Sequence, residues 1–118
     1  MENEQVILAL AAMAQGTRLD VFRLLVAAGE GLPAGEVARR LDVPHNTMSS
    51  HLAILSRAGL VRSERFSRSI VYRADLDALR SVVAFLLKDC CGGRPEICAP
   101  LLAELTPCRQ PAKVTTDA

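Results

Sequence analysis

Residues 44 to 60 read PHNTMSSHLAILSRAGL, and the reading of this stretch decides the fold. Met48, Leu52 and Leu55 fall at i, i+4 and i+7, which places them on one face of an α-helix. Asn46, Thr47, Ser49, Ser50 and Ala53 then point away from that face. Pro44 suits the first helical turn, where a backbone N–H is not needed. Gly59 suits the position just past the end, where left-handed backbone is wanted. The outward face carries hydroxyls, an amide and a histidine but no acid. Such a surface can lie close to polyanionic DNA and offer hydrogen bonds to base edges and phosphates. The plain alternative is a solvated polar face, since Ser and Asn outside a core are ordinary. The neighbouring sequence decides between them.

On the N-terminal side, Val6, Ile7, Leu10, Ala11 and Ala14 form a first helical pattern that ends at Gln15-Gly16 and is expected to lie mostly in the core. A second pattern opens at Thr17 as N-cap and runs through Leu19, Val21, Phe22, Leu24, Leu25 and Val26 to Gly29. Pro33 opens a short third helix with Val37, Ala38 and Leu41. Asp42-Val43-Pro44 then turns the chain into the quoted helix, which makes a helix-turn-helix. After Gly59 the period changes. Residues Val61 to Phe66 and Ile70 to Arg73, around the polar Ser67-Arg68-Ser69, read as two strands and a turn, a wing. Asp75 is an N-cap for a last helix, with Asp77 favourably placed in its first turn. That helix carries Leu79, Val82, Val83, Phe85, Leu86 and Leu87 on more than one face, more than a small monomer can bury, so part of it is expected to meet a second copy.

The chain has 118 residues, half of them apolar, with three Phe, one Tyr and no Trp, so the core must be aliphatic and mainly helical. There is no signal-peptide pattern and no run of roughly 18 apolar residues, so the expected location is the cytoplasm, with no membrane association. The net charge of +1 looks unpromising for a nucleic-acid partner until it is divided along the chain. Residues 1–35 carry two basic against four acidic groups. Residues 36–73 carry seven Arg against Glu36, Asp42 and Glu64. Residues 74–118 carry five basic against six acidic. Positive charge is therefore concentrated around the quoted helix, where it can supply the salt-dependent part of DNA affinity.

This arrangement resembles the ArsR/SmtB family of dimeric metal- and metalloid-responsive repressors, over roughly residues 5 to 90 and most closely in PHNTMSSHLAILSRAGLV at 44–61. The resemblance implies a mainly α fold with a small β-hairpin wing, a winged helix-turn-helix that is dimeric. Residues 1–91 would be the DNA-binding and dimerisation domain, and 92–118 a Cys-containing C-terminal segment whose last ten residues are expected to be disordered. It further implies that Asn46, Thr47, Ser49, Ser50 and His51 face the major groove, while Arg68 and its neighbours contact the minor groove or phosphates. The implied partner is double-stranded operator DNA with an inverted repeat, bound by a homodimer without any required cofactor. Ser67 departs from the family's usual turn Gly.

What is sensed falls to the cysteines, because His45 and His51 lie in the helix that would read DNA. Cys90, Cys91 and Cys98, in KDCCGGRPEIC, put two adjacent thiols at the end of the last helix and a third after a turn that can fold back. Cytosolic thiols are reduced, and an all-sulfur set favours thiophilic ions. Zinc prefers four tetrahedral ligands, commonly in spaced pairs, whereas three sulfurs that include an adjacent pair close more easily into a pyramidal site. Trivalent arsenic or antimony (arsenite, methylarsenite or antimonite) is the expected effector. Some arsenic-responsive members of the family carry this vicinal pair and a third Cys shortly after it. The chain lacks both the third-helix cysteines and the last-helix histidines of other members, and Cys108 is left unassigned. Two other readings remain at this point. One is a thiol redox regulator on the same scaffold. The other is a small thiol-dependent arsenate reductase, disfavoured because Cys90 and Cys91 sit at a helix C-terminus, whose negative dipole end opposes thiolate formation. A non-enzyme is expected.

Overall fold

A computed structural model describes residues 2 to 90, with side chains to residue 87. Five helices and a small sheet follow in the order α1 (Asn3–Met13), α2 (Gly16–Ala28), β1 (Leu32–Pro33), α3 (Ala34–Leu41), α4 (His45–Arg57), β2 (Val61–Phe66), β3 (Ser69–Ala74) and α5 (Leu76–Cys90). Residues up to Val83 form one compact unit, and a second begins at Ala84. The molecule is mainly helical with a small antiparallel wing, as the sequence leads one to expect, and the wing has three strands.

The core is the buried face of α4 and what closes on it. Met48, Leu52 and Leu55 have no exposed surface, and neither do Val21, Leu25, Val37 and Leu60. α4 packs against α1, α2, α3 and β2. Both ends of the helix-turn-helix corner use backbone that closes a helix. At the end of α3, Asp42 takes left-handed φ +56°, and Val43 N–H donates to the Ala38 carbonyl at 3.0 Å. At the end of α4, Gly59 takes φ +82°, and Leu60 N–H donates to the Leu55 carbonyl at 3.1 Å. Both are six-to-one closures that satisfy last-turn carbonyls.

In the wing, β2 and β3 pair from Val61↔Ala74 to Phe66↔Ser69, leaving Ser67 and Arg68 as a two-residue loop. Ser67 has φ +61°, so it adopts the backbone that a glycine supplies at the first central position of a hairpin turn. At the wing's base, Asp75 N–H donates to the Leu60 carbonyl at 2.8 Å, and Asp75 Oδ1 accepts from Ala78 N–H at 3.0 Å, which makes it the cap of α5.

The structure corrects four expectations. The wing has a third strand: Leu32 and Pro33 pair with Tyr72 and Val71 of β3. Two residues are too few to show alternation, and Pro33 is tolerated because the strand is an edge. Gly31, just before it, has φ +100°, and a Cβ there would lie 2.6 Å from Val71 Cγ1. The cap of α2 is Gln15, whose side chain accepts from Arg18 N–H, so Thr17 lies inside the helix. Pro44 sits at the N-cap of α4, one residue before the helix proper. Finally, α1 buries Val6, Ala9 and Ala12, and leaves Ile7, Leu8 and Leu10 respectively 57%, 53% and 40% exposed. The two small alanines let α1 approach its neighbours closely and turn its larger residues outward.

Truncating a fully enclosed residue of α4 leaves a cavity. Leu52→Ala is expected to cost about 2–5 kcal/mol in urea unfolding, whereas Ser50→Ala on the exposed face stays within about 0.5 kcal/mol. Equal effects would mean that the two faces are not distinguished as described.

Candidate nucleic-acid interface

The periodicity that buries Met48, Leu52 and Leu55 leaves Asn46, Thr47, Ser49, Ser50 and Ala53 exposed along the opposite side of α4. Asn46 Oδ1 accepts from Thr47 N–H at 3.0 Å, which satisfies one of the orphan donors of the first turn, and the amide NH₂ has no partner among the described residues. Ser50 Oγ lies 3.5 Å from the Asn46 carbonyl, a long contact between neutral groups on the exposed face, where water competes for the hydroxyl and leaves it available. His51 is placed differently. It is half-buried, with Nδ1 3.5 Å from Nη1 of Arg18. Arg68 is exposed in the hairpin loop, between Ser67 and Ser69.

The seven arginines of residues 36–73 divide into two groups. Arg39 and Arg40 both bind Glu36 on α3. Arg62 lies 3.9 Å from Asp75, and Arg73 lies 3.2 Å from Glu64 while donating to the Glu30 carbonyl at 3.1 Å. These four brace the corner and the wing. The side chains of Arg57, Arg65 and Arg68 make no hydrogen bond or ion pair among the described residues. Arg57 ends α4, where a cation suits the dipole, and the other two sit at the far end of the wing. Phe66, 53% exposed, stands beside them.

The Glu36 carboxyl is held well below the usual carboxylate range. Hydrogen bonds from Arg39, then Arg40, lower its pKa from 4.5 to about 2. The same contact raises the pKa of Arg39.

Cys90 is the last residue of α5. Cys91, Cys98 and Cys108 lie outside the described residues, and so does the expected three-sulfur cluster. Among the described residues no group of three or more His, Cys, Asp or Glu could hold a metal ion. No helix among them is long and apolar enough to cross a membrane.

Known proteins share this architecture. Residues 13–64 match the family model of a helix-turn-helix domain, a span from the end of α1 into the wing. The HTH-type transcriptional regulator YgaV of Escherichia coli K12 is 31% identical over 83 residues, which are 70% of this chain and 83% of that protein. An ArsR-like transcriptional regulator from Rhodococcus sp. RHA1 superposes with a TM-score of 0.64 at 28% identity, covering 92% of this chain and 93% of the other. The homodimeric winged helix-turn-helix DNA-binding domain of Mb0332 from Mycobacterium bovis, a possible ArsR-family transcriptional regulator, gives 0.61 at 28% identity, over 71% and 77% of the two chains. A winged helix-turn-helix with a polar recognition face defines a class, the DNA-binding transcriptional regulators. Within that class the chain belongs to the HTH-type transcriptional regulators, and the solved structures it is similar to include ArsR-like ones.

The Glu36 contact predicts an acid dependence. A lowered folded pKa contributes stability at pH values above the ordinary one, and that stability is lost as pH falls from 4.5 toward 2. Thermal unfolding of the wild type and Glu36→Gln should therefore differ at neutral pH and converge across that window. A difference that stays constant down to the acid end would contradict the assignment.

Proposed function

We propose that the chain is a homodimeric repressor that holds an inverted-repeat operator and lets it go when trivalent arsenic or antimony binds Cys90, Cys91 and Cys98. The DNA half of this reading is carried by the exposed row Asn46, Thr47, Ser49 and Ser50, opposite a fully buried apolar row on the same helix. α4 is the reading helix in the major groove, and the wing end carries Arg68, with Arg65 beside it, to the phosphates or the minor groove. Two copies related by a two-fold axis then require two similarly related half-sites. The exposed Ile7, Leu8 and Leu10 of α1, with Leu76 at the start of α5, supply apolar surface for the second copy.

The effector half is supported by the donor set and its place in the chain. Three soft sulfurs fall within nine residues of sequence, the first of them Cys90, the last residue of α5. Each thiol replaces one hydroxyl of As(OH)₃ and releases one water, so three thiols complete a pyramidal As–S₃ unit without oxidant or reductant. Gathering Cys98 onto a shared ion repositions the end of α5, and with it the relative setting of the two reading helices. By linkage, the ion and DNA weaken one another by the same factor, typically about 1–3 kcal/mol.

Two outcomes are expected. Arg68→Ala lowers affinity for every sequence and reduces the slope of log affinity against log salt by about one, while Asn46→Ala or Ser50→Ala alters base preference. The same loss on selected and random DNA for all three would count against α4 as the reader. In the second, Cys90→Ser, Cys91→Ser or Cys98→Ser keeps DNA binding and abolishes release by arsenite under excess reductant, while Cys108→Ser releases normally. Release of Cys91→Ser at the wild-type arsenite concentration would refute the three-sulfur site. Release by peroxide alone would replace it with a thiol redox switch, and expression that falls rather than rises on loss of the protein would make it an activator.

A further inference from the structure

His51 lies in the reading helix, yet it faces inward toward Arg18, a half-buried residue in the first turn of α2. The Arg18 side chain spans two other elements. Its Nε donates to the Ala12 carbonyl, in the last turn of α1, at 2.6 Å, and its Nη1 lies 3.5 Å from His51 Nδ1 in α4. Its own backbone N–H is held by Gln15 Oε1 at 2.8 Å, so the base of the side chain is fixed by the cap of α2. Guanidinium offers five N–H groups in a planar fork, which lets one side chain serve two acceptors in different directions. Because Arg18 has only donors, His51 Nδ1 is the acceptor of this contact.

We infer that Arg18 is a positioning residue for DNA binding, setting α4 against the end of α1, and that His51 is its acceptor and not a base-reading side chain. The inference rests on the reading of α4 as the DNA reader. Apolar burial is non-directional: Met48, Leu52 and Leu55 decide which face of α4 is inside, while a small rotation or slide along the axis keeps them buried. The Arg18 fork narrows that freedom: its short bond to the Ala12 carbonyl anchors the guanidinium, whose charged Nη1 then reaches His51 by a longer, part-buried contact. Asn46, Thr47, Ser49 and Ser50 need that precision to meet base edges. The fork also ends on the helix whose Ile7, Leu8 and Leu10 are exposed, so a displacement of α1 at a dimer contact passes through Ala12 and Arg18 to His51.

The test is selection of preferred sequences from a random duplex library by the wild type, followed by the same selection and affinity measurement for His51→Gln, His51→Leu and Arg18→Lys. Thermal unfolding of each confirms the fold. His51→Gln retains an acceptor and is expected to select the same bases with affinity within about threefold. His51→Leu and Arg18→Lys are expected to lose roughly tenfold on the selected sequence, the worth of a hydrogen bond to a charged group, and much less on random DNA, without altering the preferred bases. Combining His51→Leu with Arg18→Lys should cost no more than Arg18→Lys alone, because that variant has already lost the contact with His51. A changed base preference in His51→Gln would make His51 a reader and overturn the inference, as would fully additive losses in the double variant. If His51→Leu does not fold, His51→Gln and Arg18→Lys decide by the same criteria. A wild type that selects no sequence would overturn the reading of α4 itself, and this inference with it.

Discussion

The burial of one row of α4 is the constraint on which the rest depends. Met48, Leu52 and Leu55 are completely enclosed, and each such side chain contributes about 1.5–3 kcal/mol relative to an exposed one. Turning the helix to bury any other row would expose these and enclose Asn46, Ser49 or Ser50 without partners, which is costly. The orientation of the polar row is therefore a consequence of core packing. The same packing brings Leu60 and Val61 inside, so the wing starts from the core at its base and projects outward at its far end.

Charge is arranged by the same logic. The net excess of arginine between residues 36 and 73 is a sum, and it hides a division of labour. Four arginines have carboxylates beside them, and their charge is largely spent on holding α3 and the wing. Arg57, Arg65 and Arg68 lack such neighbours among the described residues, and their charge is open to an anion. Surface pairs of this kind add little stability, so their value lies in geometry. Glu36 illustrates it: one carboxylate orients two guanidinium groups on the helix that precedes α4.

Most of the architecture was legible because each element carries more than one agreeing signal. α4 has its apolar spacing, Pro44 at one end and Gly59 at the other, and α5 has Asp75 as cap with apolar residues following. What escaped lacked such redundancy. β1 is two residues long, and its pairing is decided by the distant Val71 and Tyr72. The buried face of α1 was misjudged because Ala9 and Ala12 look weaker than Ile7 and Leu10, although close helix approach favours the small pair. Within the site, the exposed row follows from periodicity alone. The inward placement of His51 does not, since it depends on Arg18, 33 residues earlier in the chain. Of the sulfur cluster, only Cys90 falls on a described element, as the last residue of α5.

The central claim is that the outward row of α4, together with the far end of the wing, is the surface that meets DNA. Amide hydrogen exchange of the full chain, followed residue by residue with and without a duplex that it selects, tests this most directly. The account predicts added protection concentrated at residues 45–51 and 65–69. Protection confined to α1 and α2, with those two segments unchanged, would contradict it.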